Sequence, residues 1–216
     1  MEVLISRLKQ ITILQIFTIS IRYLLGTSFV WASILKIKGV RFTQHSAENE
    51  PINTLNHLFE SMYQSGLYWH FIGWGQLMAG FLLMSQRFST LGAVVFFPLM
   101  LNIFIITISF NWVGVLTITF LMLLINIYLL LWDWNKLKFV ALPKPQNYID
   151  NDAEFSTRRV WTYVGIFYFF MIVVIRNIMI SNKLSNSFSI NYVLLGAILM
   201  SSIWIITTIS QLIKNK

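Results

Sequence analysis

Long apolar segments separated by short polar ones make up most of this chain. Six of them have the roughly 20 residues that a helix needs to cross a bilayer. These segments cover residues 16–36, 67–84, 90–109, 112–132, 161–180 and 192–213. A chain inside the hydrocarbon region must pair its backbone hydrogen-bonding groups internally, and a long apolar segment does so as a helix. We therefore predict an all-α membrane protein with six spans.

Two polar segments divide these spans into groups. In residues 37–66, apolar positions recur at helical spacing from Ile52 to Met62, which predicts a short amphipathic helix on the membrane surface. Residues 135–160 contain two prolines and clustered charges, a composition typical of a linker. The predicted domains are a four-helix transmembrane bundle over 1–134, this linker, and a two-span hairpin with a basic tail over 161–216.

The composition limits the chemistry that the chain can perform. Charged residues make up 11% of the sequence, against about 25% in a soluble domain, which favours a membrane protein. The chain has no cysteine, so disulfides and cysteine-ligated iron–sulfur clusters are excluded within it. Its net charge of +8 does not indicate nucleic-acid binding, because no basic run is interleaved with the aromatic residues of a soluble domain.

The lysines and arginines outside the spans fall mainly on one side of the predicted membrane. With six spans, the termini, the 85–89 turn and the 133–160 segment share a side that holds ten of them, and the opposite side holds four, counting Lys36 at the outer end of the first span. By the positive-inside rule, both termini are expected in the cytoplasm. The first span is interrupted by Arg22 and lacks a small-x-small cleavage site, so we expect it to be retained. The expected location is a bacterial inner membrane, with residues 37–66 facing outward.

The first span carries a polar stripe that includes its internal charge. Arg22, Gly26, Phe29, Ser33 and Lys36 are spaced 4, 3, 4 and 3 residues apart, which places them on one helical face. At ~1.5 Å per residue, Arg22 lies ~9–10 Å inside its span, beyond the ~6 Å that its side chain can extend toward the headgroups. The sequence therefore predicts that Arg22 faces the bundle interior, whereas Lys36 reaches the outer interface as an anchor.

Amide side chains are the predicted partners of Arg22, because no acidic residue falls inside any span. One interpretation is that these amides form interhelical hydrogen bonds of about 0.5–1.5 kcal/mol each, next to glycines that let helices approach closely. The other is a polar pocket for an anionic or carbonyl-bearing ligand, such as a quinone or a lipid headgroup. The candidate pocket residues are Arg22, Gly26, Gln76, Gly80, Asn102 and Asn126.

The sequence predicts neither a catalytic set nor a metal site. His45, His57 and His70 all fall on the outer side, and no two of them have the spacing of metal ligands. Asp133 stands between two tryptophans and is interpreted as a membrane-boundary residue rather than an acid catalyst. Because no nucleophile–base pair, phosphate-binding loop or paired carboxylates are present, we expect the chain to have no catalytic residues of its own.

The stripe of the first span resembles a motif of the DoxX family of small bacterial membrane proteins. That motif is R-x3-G-x2-F-x3-G-x2-K, and Arg22, Gly26, Phe29 and Lys36 match it. Ser33 stands where a glycine is usual in the family. The match places the resemblance on the same helical face that carries the internal charge.

The second span continues the resemblance to the DoxX family. In GQLMAGFLLMSQRFSTLGA, Gly80 and Arg87 fit the family pattern, and Gln76 replaces its glutamate. The resemblance covers about residues 15–134 and implies a four-helix transmembrane bundle. It also implies a role as a membrane subunit of quinone-linked sulfur oxidoreductases or of assemblies that counter oxidative stress, with no established catalytic set.

We therefore expect a non-catalytic subunit or scaffold of a membrane redox or stress-response assembly that holds a quinone or lipid near Arg22. No covalent cofactor is expected, and the expected partners are the lipid bilayer and other protein subunits. The alternative is a small-solute carrier or channel. Such a protein requires a continuous polar path, whereas the sequence offers amide side chains at only two depths in the membrane, Asn126 at one and Gln76 with Asn102 at the other. A membrane enzyme is a third hypothesis, and it would have to use His57, Glu60 and His70.

Overall fold

The fold is all-helical over the residues that this computed structural model describes, which are 2–43, 46–141, 155, 158–181 and 186–214. No strand occurs within those ranges, which confirms the all-α part of the predicted fold class. The helices are α1 (Glu2–Lys9), α2 (Thr12–Ile37), α3 (Leu55–Gln64), α4 (Leu67–Met84), α5 (Ser89–Ser109), α6 (Val113–Trp132), α7 (Trp134–Ala141), α8 (Arg159–Ser181) and α9 (Asn186–Ile213).

Helix α2 is the central element and contacts α4, α6 and α8. Its contact with α4 is close because small residues face each other across it. Gly80 of α4 lies against Gly26 of α2, and Gly73 lies against Lys36. Since later residues of α2 meet earlier residues of α4, the two helices run in opposite directions.

Helices α5 and α6 complete the four-helix arrangement. Phe29 of α2 stacks on Phe96 of α5 with ring centroids 3.7 Å apart, and both side chains are buried among apolar residues from all four helices. At the other end of the α5–α6 pair, the hydroxyls of Thr107 and Thr119 lie 3.0 Å apart. These contacts make the interior of the bundle a packed apolar core crossed by a few polar links.

The C-terminal hairpin packs directly on this bundle through α8. The Tyr23 hydroxyl of α2 donates a hydrogen bond to the Trp161 carbonyl, and the rings of Tyr23 and Tyr168 meet edge to face at 5.4 Å. Gly165 lies against the backbone of Met84, where a Cβ would clash. Helix α9 then packs mainly on α8. The hairpin is therefore part of the same core as α2 and α4.

Within the described residues, five helices are long and apolar enough to cross a membrane, namely α2, α5, α6, α8 and the Asn191–Ile213 part of α9. The 18-residue helix α4 is not among them, since His70, Gln76 and three glycines reduce its hydropathy. The chain is thus a multi-pass helical membrane protein. The sixth span stays a prediction, although α4 is enclosed between α2 and α5.

The two polar segments differ in how well they match the prediction. A short helix after residue 52 is confirmed as α3, which begins after Thr54, whose hydroxyl accepts a hydrogen bond from the His57 amide. It ends before Gly66, whose φ is 61°. The predicted linker from residue 135 is wrong at its start, because α7 continues as a helix almost directly after α6. Residues 142–154 of that linker lie outside the described residues.

Candidate functional site

Arg22 lies at the centre of a polar network that joins four parts of the bundle. Its Nη2 lies 3.0 Å from Asp133 Oδ2, and its Nη1 donates to Gln86 Oε1 at 3.1 Å. The Thr90 hydroxyl donates to the same Asp133 oxygen at 2.9 Å. The network therefore links α2, the residue that directly follows α6, the α4–α5 turn and the first turn of α5.

The prediction that Arg22 lacks an acidic partner is wrong. The prediction counted only acids inside the spans, whereas Asp133 directly follows the last residue of α6. An arginine side chain can extend ~6 Å along the bundle axis, and that of Arg22 reaches the end of α6, where Asp133 lies. The sequence signal for this pair was an acid immediately after the fourth span, on the side toward which Arg22 can extend.

None of the three predicted amide partners forms a hydrogen bond with Arg22 among the described residues. Asn126 is completely buried and donates from Nδ2 to the Ala93 carbonyl of α5 at 3.2 Å. Gln76 is buried on α4, and its Oε1 has no hydrogen-bond partner among the described residues. Asn102 is exposed on the surface of α5, so it cannot line an interior pocket. The amide that Arg22 does meet, Gln86, was not predicted.

The two candidate glycines, Gly26 and Gly80, let their helices approach closely, as the sequence predicted. A Cβ added to Gly80 would lie 2.8 Å from the Gly26 carbonyl oxygen and 2.8 Å from a methyl of Val30. Both distances are shorter than a van der Waals contact, so α2 and α4 approach as closely as they do only with glycine here. Ligand binding by this pair stays a prediction.

A buried cation that the sequence did not predict, Lys36, lies at the far end of α2 from Arg22. Lys36 was expected to reach the interface, but it is 7% exposed and donates to the Ala32 carbonyl at 3.2 Å. Its Nζ lies 5.2 Å from the centre of the Trp69 ring and 5.6 Å from that of Phe42. The aromatic residues that close over Lys36 come from α4 and from the segment after α2, so their approach depends on the fold.

The segment between α2 and α4 is held by a carboxylate that is 2% exposed, that of Glu60. Arg41 donates from Nε to both of its oxygens, at 3.0 and 3.1 Å. Burial alone would raise the pKa of Glu60, but the hydrogen bonds from Arg41 and from the Ala47 amide bring that pKa below its ordinary value of 4.5. Within the described ranges, no group of three or more acidic or histidine side chains could hold a metal ion.

The fold and its buried charges define a multi-pass helical membrane protein with an arginine–aspartate pair between its helices. The chain is similar to an uncharacterised protein, YwoB of Bacillus subtilis strain 168, with 33% identity over 81 residues. The match covers 38% of this chain and 52% of that protein, so the chain spans about half the length of its curated relative. No protein-family profile matches the chain, and no solved structure matches it.

Proposed function

We propose that this chain is a non-catalytic membrane subunit of the DoxX type. In this proposal it resides in a bacterial inner membrane with both termini in the cytoplasm. It acts there as a scaffold for a redox or stress-response assembly. The observation that carries the proposal is the Arg22 network, because the buried cation most suited to chemistry is bound to Asp133 and Gln86. A charge used in this way stabilises the arrangement of helices rather than a reacting group.

The surface of α9 supports a scaffold role. Helix α9 packs mainly on α8, and most residues of its membrane-spanning part are exposed. Leu195 and Ile198, on its exposed side, are 56% and 59% exposed. An apolar surface of this kind suits either lipid or a second membrane subunit, and a scaffold would use it for the latter.

Purification of the complete protein from its own membranes tests the scaffold role. The tagged chain is extracted with a mild detergent, and its complexes are measured by native mass spectrometry and visible absorption. We expect a complex of fixed stoichiometry that carries a flavin, haem or iron–sulfur chromophore from a partner. A tagged membrane protein of similar size, prepared in parallel, is the control. A chain that purifies alone, or with partners lacking any redox group, contradicts the proposal.

A ligand near Arg22 is a second candidate, favoured by three buried atoms. Arg22 Nε, Gln76 Oε1 and Asn126 Oδ1 have no hydrogen-bond partner in the described part of the chain. A quinone or a lipid ester would offer a carbonyl to Arg22 Nε, while a hydroxyl of the ligand could donate to an amide oxygen. Solvent extraction of the purified protein, followed by mass spectrometry, would identify a retained quinone. Gln76→Leu should lose it and the exposed control Asn102→Leu should keep it; equal retention contradicts this candidate.

A further inference from the structure

Two cationic side chains, one on α2 and one on α8, lie toward the end of the bundle opposite the Arg22 network. The fourteen residues from Arg22 to Lys36 place Lys36 ~21 Å further along α2. Arg176, near the end of α8, lies over the ring of Trp31, five residues before Lys36 on α2. Lys38 belongs to the same end and donates to the Ser181 hydroxyl at 3.0 Å. The ends of α2 and α8 thus form a locally positive site.

No acidic residue in the described ranges neutralises Lys36 or Arg176. The carboxylates of the segment between α2 and α4 are engaged elsewhere: Glu60 and Glu48 with Arg41, and Glu50 with Thr54 and Asn56. The Arg176 Nε is buried and has no hydrogen-bond partner within those ranges, and Lys36 Nζ makes one hydrogen bond, to a backbone carbonyl. A buried lysine and a partly buried arginine without a counter-charge are costly unless an anion joins them.

Aromatic rings shape the surroundings of both cations. The Arg176 guanidinium lies over the Trp31 ring, with Cζ 4.4 Å from its centre, and Trp69 and Phe42 flank Lys36. Tryptophan and lysine or arginine at one level are typical of the headgroup region of a bilayer. These rings hold the two side chains in place and leave several N–H groups for an external acceptor.

We propose that Lys36 and Arg176 form a binding site for the phosphodiester headgroup of an anionic phospholipid, between the ends of α2 and α8. The surface next to this site favours a lipid over a free anion. The helical face that carries Trp31 continues seven residues earlier to Leu24, which is 63% exposed. An acyl chain can lie along this apolar face while the phosphate contacts the cations. The site does not depend on the scaffold role.

Lipid retention by the purified full-length chain tests this site. The protein is placed in nanodiscs of phosphatidylcholine with a minor fraction of phosphatidylglycerol, and the lipids that remain bound after release are counted by native mass spectrometry. We expect the wild type to retain phosphatidylglycerol preferentially. Arg176→Gln and Lys36→Met should each reduce this preference about fivefold, the effect of one interfacial cation. Arg87→Gln removes an exposed cation near the Arg22 end and should change nothing.

Further arms distinguish the sources of the phosphate and the effect of misfolding. Arg176→Lys retains the charge and should restore most of the preference, which a merely misfolded variant would not show. If phosphatidylcholine and phosphatidylglycerol are retained equally by the wild type, the site is overturned. It is also overturned if the Arg176 and Arg87 variants behave alike. If millimolar inorganic phosphate binds to the detergent-purified protein and displaces phosphatidylglycerol, the assignment to a lipid is overturned.

Discussion

Replacing Asp133 by asparagine should destabilise the protein more than the loss of one hydrogen bond. The Arg22 and Asp133 side chains are 7% and 5% exposed, and their charged atoms are 3.0 Å apart. At an effective dielectric constant of about 20, such a pair attracts with about 5–6 kcal/mol before desolvation. Asparagine retains the shape but leaves the Arg22 charge buried without compensation, which costs about 3–5 kcal/mol. We expect Asp133→Asn to reduce the free energy of unfolding by that amount.

A double-mutant cycle separates charge pairing from simple hydrogen bonding. The free energy of unfolding is measured in bicelles by steric trapping for Asp133→Asn, Arg22→Met and the double variant. The double variant contains no uncompensated charge at this point, so it should be more stable than Asp133→Asn alone, and the coupling energy should reach about 2 kcal/mol or more. A coupling energy near the ~0.6 kcal/mol that is average for interhelical hydrogen bonds in a membrane protein would refute the pairing argument.

Three other substitutions test the helix contacts and the segment between α2 and α4. Gly80→Ala should cost at least about 1–3 kcal/mol because its Cβ meets the α2 backbone, whereas Gly75→Ala, in ordinary contact distance on the same helix, should not destabilise; equal thermal stabilities would contradict this. Gly165→Ala should undock α8, seen as cleavage by added protease, while Gly114→Ala, with open space around it, should resist. Glu60 stabilises its segment only when it is ionised, because its pKa is lowered in the folded protein. The protection of this segment against amide exchange should therefore decrease below about pH 4.5. In Glu60→Gln, this pH dependence of the protection should be lost.

The sequence allowed the helices to be predicted well, because apolar length and spacing determine them locally. The short helix α3 followed from the spacing of Ile52 to Met62 and from Gly66. The close approach at Gly26 and Gly80 could be predicted because the two residues lie at similar depths in the first and second spans, and small residues at one depth favour close helix packing. The start of α7 was missed because its charged residues were interpreted as a linker, although Trp134 to Ala141 contains no helix-breaking residue.

The side-chain partners were harder to predict, because they depend on how helices rotate and on how far long side chains reach. Rotation of α5 about its axis places Asn102 on the surface. The depth of Asn102 along its span does not indicate which way its side chain faces. Asp133 was not considered as a partner because it lies one residue beyond the fourth span, although the Arg22 side chain reaches it. Lys36 was expected to anchor at the outer interface, and its aromatic neighbours come from segments whose approach the sequence pattern does not define.

The 111 residues that separate Arg22 from Asp133 impose an order on biosynthesis. Helix α2 is synthesised before α6, and its arginine raises the free energy of insertion by about 2.5–3.5 kcal/mol until a counter-charge is present. The counter-charge arrives only when α6 has been made and Asp133 follows it. The nascent bundle therefore depends on its surrounding apolar residues, or on an insertion factor, to retain α2 until then. A chain that stops before residue 133 would leave the arginine exposed as a signal for membrane quality control.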